Sequence, residues 1–272
     1  MKCRKLINFV CFIIALAMLT ITALATSITV YVKDFNSAAL IPNATVYVVY
    51  SSSTTYTKTS YTTNSSGYIN IATAPNGNYG LFSFTSSCGI VNVPAIETVS
   101  TGSSNITKTI YLKNNSTNYV RSNFGKPFTS YTAPSILSGQ NFGWRHMNNV
   151  VDAHNGMDIG GLAEGTEIYT ICDGTVQDKG TTTGRGNYVK IQTPPYMLSY
   201  YISYQHMKYS SPLSTGANVS KASIVTSSTV VGEVGKSGAT AVHLHIEAST
   251  SSAFASPGGL DSNTFDPNCL FG

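Results

Sequence analysis

Charge is scarce in this chain. Of 272 residues, only 10% are Asp, Glu, Lys or Arg, and beyond Lys2, Arg4 and Lys5 the basic ones form no cluster. Nucleic-acid binding needs a dense basic face that releases counterions, so a nucleic-acid partner is not expected. Helical periodicity is missing as well: no helical repeat of apolar positions persists for more than a turn or two beyond residue 126. Cysteine is sparse. Of five residues, Cys3 and Cys11 fall within the first 25 positions, and Cys88, Cys172 and Cys269 remain. An odd remainder permits at most one internal disulfide. Cys172 with Cys269 is the preferred pair, both lying in the same half of the chain, and three buried thiols are the alternative. Histidine is rare too, five in all, but four of the five fall in three short motifs.

Long apolar runs are confined to the start. Lys2, Arg4 and Lys5 precede a largely apolar stretch from Leu6 to Thr22, and Ala23-Leu24-Ala25 has the small-x-small form of a cleavage site. Residues 1–25 therefore read as a secretory signal, with the mature chain starting at Thr26. An uncleaved anchor competes, since the run nearly reaches the ~20 residues of a membrane span. Asn8 and the Ala-x-Ala ending favour cleavage, which leaves no membrane segment. Removing the signal takes three of the 16 basic residues and leaves 13 against 12 acidic ones, close to neutral. Abundant Ser, Thr, Tyr and Asn suit a secreted, β-rich protein.

Residues 26–113 alternate with a period of two, as in Ile28, Val30 and Val32, and again in Ala44, Val46 and Val48 after a turn at Pro42-Asn43. Short strands with turn signals between them predict a β-sandwich. The runs SITVYVKDFNSAALIPNATVYVVY, TNSSGYINI and PNGNYGLFSF resemble the carboxypeptidase regulatory-like (prealbumin-like) sandwich, which implies a binding or spacing role. No histidine lies in this region. The Ser/Thr/Tyr-rich stretch from Ser51 to Ser66 reads as a solvated hairpin. Residues 114–125 are read as a linker, and residues 126–272 as a second, all-β domain with strands at Glu167 to Cys172, Asn187 to Gln192, Leu198 to Gln205 and Val242 to Ala248.

The motifs lie in that second domain: His154-Asn155-Gly156-Met157-Asp158, then Tyr204-Gln205-His206, then His243-Leu244-His245. His154 and Asp158 reach one ion if the glycine lets the backbone curl, and His245 supplies a third ligand to a site that keeps room for water. His243 and His245 are two apart in a strand and share a face. Tyr204 and His206 stand in the same relation, so a phenol and an imidazole are expected on one face. Glu247 either orients an imidazole or is a surface glutamate. His146 reads as a groove or surface residue, and Arg145 as a residue that positions substrate or braces the fold. Gly232 to Ser237 looks like a phosphate loop, but Val230 stands where that motif needs glycine. There is no H-E-x-x-H.

GWR, HNGMDIG, Y-x-H and HLHIE, in this order, resemble the lysostaphin-type (LytM-like) zinc metalloendopeptidases, over roughly residues 124–272. The resemblance implies an antiparallel peptidase sheet with a zinc groove. It makes His154, Asp158 and His245 the Zn2+ ligands and His206 and His243 the catalytic histidines; Tyr204, expected on the face of His206, adds a hydrogen bond to the tetrahedral intermediate on this reading. It implies a secreted, cell-wall-associated monomer that cuts peptidoglycan cross-bridge or stem peptides. The alternative is a non-catalytic, zinc-containing wall-binding or signalling protein on the same fold. The loop from Ser237 to Val242 lacks the proline usual in this family, which bears on substrate choice.

Overall fold

The computed structural model describes residues 26–34, 37–75, 77–84, 89–92, 97–99, 105–114, 123–129, 142–147, 150–197, 199–255, 263–267 and 270. The expected signal, most of the expected linker, Cys88 and Cys269 lie outside them. The first half contains β1 (Thr26–Asp34), β2 (Thr45–Ser51), β3 (Tyr56–Thr62), β4 (Tyr68–Ala74), β5 (Gly77–Phe84), β6 (Gly89–Asn92), β7 (Glu97–Val99) and β8 (Ile106–Asn114). They form two four-stranded sheets, ordered β4-β1-β8-β6 and β3-β2-β5-β7. Alternation supplies the core between them. Val30 and Val32 of β1, Val46 and Val48 of β2, Leu81 of β5, and Ile110 and Leu112 of β8 are all buried in one apolar cluster. Each such side chain is worth about 1.5–3 kcal/mol of burial. The Ser/Thr/Tyr-rich stretch is a hairpin of β2 with β3, and β3 is almost wholly exposed. Asn43, at the turn before β2, adopts φ of 57°, which asparagine tolerates better than most residues.

The second half contains β9 (Gly143–Met147), β10 (Val150–His154), β11 (Gly156–Ile159), β12 (Glu167–Tyr169), β13 (Gly174–Thr182), β14 (Gly186–Gln192), β15 (Tyr201–Met207), β16 (Asn218–Val219), β17 (Val230–Glu233), β18 (Leu244–Ser249) and β19 (Thr264–Phe265). A seven-stranded sheet runs β11-β18-β15-β14-β13-β16, with β19 added on β18, and its pairings are antiparallel. The pairs β9–β10 and β12–β17 form two further sheets of two strands each. Its core takes Met157, Ile159, Val189, Ile191, Ile202, Tyr204, Leu244 and Ile246. Phe124 and Phe128 join that core, and the Gly125 N–H donates to the Ile171 carbonyl at 2.6 Å. The protein is thus all-β, as its alternation implies. Among the described residues no helix is long and apolar enough to cross a membrane.

The preferred disulfide does not form. Cys172 is a free, fully buried thiol. It sits in the apolar core of the second half, and burial pushes its pKa up to about 12. A thiol so placed is held as a small apolar side chain rather than presented for pairing.

Candidate metal centre

His154 ends β10, and Asp158 lies in β11 one turn of chain later. Gly156 between them makes the approach possible. A Cβ there would run into the His245 imidazole and the Ile246 carbonyl, so any other residue would push β11 off β18. The β11–β18 register sets Asp158 directly opposite His245. The result is a tight triangle of donors. His154 Nε2 lies 3.2 Å from Asp158 Oδ1, His245 Nδ1 lies 2.8 Å from the same oxygen, and the two nitrogens are 3.1 Å apart. Donors about 2.0–2.1 Å from a tetrahedral zinc lie roughly 3.4 Å from one another. The triangle is therefore slightly tighter than a zinc shell and has its chemistry, two imidazoles and one carboxylate.

Electrostatics favour a cation there. Burial pushes His245 down to about 4, outweighing its hydrogen bond to Asp158. Burial alone would raise the Asp158 carboxyl, but hydrogen bonds and charge from His154 and His245 hold it well below the usual carboxylate range. At neutral pH, then, a carboxylate and a neutral imidazole turn lone pairs toward a shared point. Arg145 Nε pairs with Asp152 Oδ2 at 3.1 Å, and its Nη1 lies 3.8 Å from Asp158 Oδ2. It thus braces the outer oxygen of Asp158.

Two further imidazoles border the triangle. The rings of His206 and His243 lie 4.7 Å apart, and His206 lies 5.8 Å from His245. His206 Nδ1 is 2.9 Å from the Ser237 carbonyl, and His243 Nδ1 is 2.9 Å from the Ala241 carbonyl. A carbonyl only accepts, so each Nδ1 carries its ring's proton and donates it. Each Nε2 is left for other partners, and that of His243 lies 3.5 Å from Asp158 Oδ1. The five residues line one cavity of about 460 Å³ with Arg145, Gln205 and the turn from Gly238 to Ala241. The stretch that imitates a phosphate loop backs His206: it supplies the Ser237 carbonyl, and the Ser237 Oγ accepts the Asn187 N–H at 2.5 Å.

Tyr204 does not join His206. It is fully buried in the core, and its hydroxyl accepts the Ile171 N–H at 2.9 Å. Alternation along β15 is broken after Gln205. The β14–β15 register slips between Asn187 and Val189, and His206 adopts φ of 62°. This bulge turns His206 to the side that Gln205 already faces. Gln205, opposite His245 in the β15–β18 register, is the groove residue that pattern reading missed. Its Nε2 donates to Glu247 Oε2 at 3.1 Å and to Ser203 Oγ at 3.3 Å. Glu247 is not a surface residue: it is buried beside this contact, and burial raises its pKa. His146 lies on β9, with its side chain outside the described residues.

Residues 152–257 match the model of peptidase family M23. Among solved structures, one described as LytU is 21% identical, with 51% of this chain and 84% of that chain covered and a TM-score of 0.38. The catalytic domain of the antimicrobial peptidase lysostaphin from Staphylococcus simulans is 20% identical, with 54% and 90% covered and a TM-score of 0.33. A putative glycyl-glycine endopeptidase lytM from Ruminococcus gnavus is 23% identical, with 43% and 45% covered and a TM-score of 0.33. No curated protein sequence matches. Residues 152–257, which hold His154, Asp158, His206, His243 and His245, form a peptidase family M23 domain.

Proposed function

We propose that the protein is a secreted zinc metalloendopeptidase that hydrolyses peptide bonds in the cross-bridges or stem peptides of peptidoglycan. The observation that carries the reading is the donor triangle of His154 Nε2, Asp158 Oδ1 and His245 Nδ1 beside two imidazoles whose Nδ1 protons are tied to main-chain carbonyls. His154, Asp158 and His245 would hold the ion. Bound zinc supplies Lewis acidity toward the scissile carbonyl and lowers the pKa of an attacking water. The chain's own groups do the rest. The outward Nε2 of one histidine, His206 or His243, takes the proton of the water. The other, once protonated, steadies the oxyanion. Arg145 holds the Asp158 carboxylate in place.

The family and the open groove across β11, β18 and β15 support an extended cell-wall peptide as substrate. The expected signal at residues 1–25 supports secretion. The test is loss of turbidity of purified peptidoglycan on adding the mature chain, with and without a zinc chelator, followed by mass spectra of the fragments. Clearing that the chelator stops supports the enzyme. No clearing from walls of several cross-bridge types, with one zinc found per chain, would leave a non-catalytic, zinc-containing wall-binding protein.

A further inference from the structure

A spacing domain should be wet on its outer faces, and one strand of the amino-terminal sheets is not. β2 is buried on both sides. Val46 and Val48 share one face, while Val49 and Ser51 point the opposite way and are as fully buried. An antiparallel sheet packed on one side alone would show polar, solvated residues there. The cover is the β9–β10 hairpin, which lies across β2 and β5. Phe142, just before β9, and Ala153, in β10, belong to the same apolar cluster as Val49 and Leu81. Ala153 immediately precedes His154. Successive strand residues point to opposite faces, so seating Ala153 on the sheets aims His154 at the donor triangle. Asp152 lies opposite Arg145 in the hairpin register and holds its guanidinium.

Two further observations point the same way. The hairpin forms a sheet of only two strands, and such a pair is marginally stable by itself. A second contact also joins the halves. β19 lies against β6, and Asp266, just after β19, acts electrostatically on Lys58 of β3. β19 is bonded to β18, the strand of His245.

We propose that the amino-terminal sheet pair is a buttress for the metal centre: it seats the β9–β10 hairpin, and through Ala153 and Asp152 fixes His154 and Arg145 at the groove. Only the zinc readout below rests on the proposed function. The packing has a readout of its own.

The experiment uses the full-length mature chain with Val49→Asp, the milder Val49→Ala, and Thr57→Asp on exposed β3 as control. Amide hydrogen exchange is followed for β10 and β18, and the zinc dissociation constant is obtained by chelator competition. Val49→Asp should strip protection from β10, leave β18 protected, and weaken zinc roughly 10- to 100-fold, the range for groups that orient ligands from behind. Val49→Ala should do the same to a smaller extent, and Thr57→Asp should change neither. Unchanged β10 exchange with unchanged zinc affinity overturns the proposal. It does so even if the sheet pair has unfolded, since the hairpin then stands without it. Equal loss of protection in β10 and β18 overturns it too, because support would then not pass through the hairpin. A wild-type chain that binds no zinc would sink the metal reading, and the exchange pattern would still decide for or against the buttress.

Discussion

At the scale of single residues, the proposed function divides the site between groups that hold an ion and groups that handle protons. It puts His206 and His243 in the second set, each with its Nδ1 proton held by a main-chain carbonyl. Replacing either by alanine should lower kcat about 10²- to 10⁴-fold while zinc stays bound at one per chain. Steady-state cleavage of a peptidoglycan peptide, paired with metal analysis, checks this. Loss of the zinc as well would place the residue among the ligands. Tyr204 predicts the opposite. Its hydroxyl supports the Ile171 N–H in the core, so Tyr204→Phe should cost about 1 kcal/mol of stability and leave kcat unchanged. The shared face of His243 and His245 was legible in the sequence from strand parity, and the grouping of Asp158 with His245 from the motifs and the resemblance they carry, since no parity rule sets the register of strands so far apart in the chain. The place of Tyr204 was not, because parity fails at a bulge that no residue type announces.

At the scale of elements, that bulge in β15 is the device that aims His206. A non-glycine residue at φ of 62° carries roughly 1–2 kcal/mol of backbone strain. His206→Gly and His206→Ala remove the same imidazole, but only glycine relieves the backbone. The glycine variant should therefore melt higher than the alanine variant, with both inactive. Equal melting temperatures would show that the bulge is unstrained. The β11–β18 pair makes a second demand. Gly156→Ala places a methyl group against the His245 ring and should weaken zinc roughly tenfold or more, as displaced ligand geometry does. Chelator competition measures it, and wild-type affinity would mean that β11 shifts freely. Most strands were readable from alternation and turn residues. Their ends were less so: β15 runs on to Met207 and β18 begins at Leu244, because cross-strand pairing sets the limits.

At the scale of the whole molecule, the sequence shows two β-rich halves but not their docking. The contact uses Val49, Phe142 and Ala153, residues that look like any other strand or loop positions until the partner surface is known. The second half encloses a core that also holds unused ionisable groups, and these tie its stability to alkaline pH. Cys172 is buried with its pKa pushed up to about 12, against about 8.5 for a free thiol. Tyr204, beside it, is likewise held well above its ordinary 10.0 by burial. The folded pKa is the higher one, so the unfolded chain releases its proton first. The stability from the neutral thiol is complete below the unfolded pKa and is lost progressively as pH rises toward the folded one. Urea unfolding of the wild type at about pH 8 and about pH 10.5 should thus show a fall that Cys172→Ala does not share in full. The difference between the two falls is about 2.5 kcal/mol for the thiol alone, with a further part from Tyr204, because Cys172 adds to burial in raising its pKa. The alanine variant starts from a lower level, since it leaves a small cavity, so the change with pH is the quantity compared. Parallel falls in the two proteins would mean that Cys172 ionises in the folded chain as readily as in the unfolded one, and that its burial is not maintained in solution.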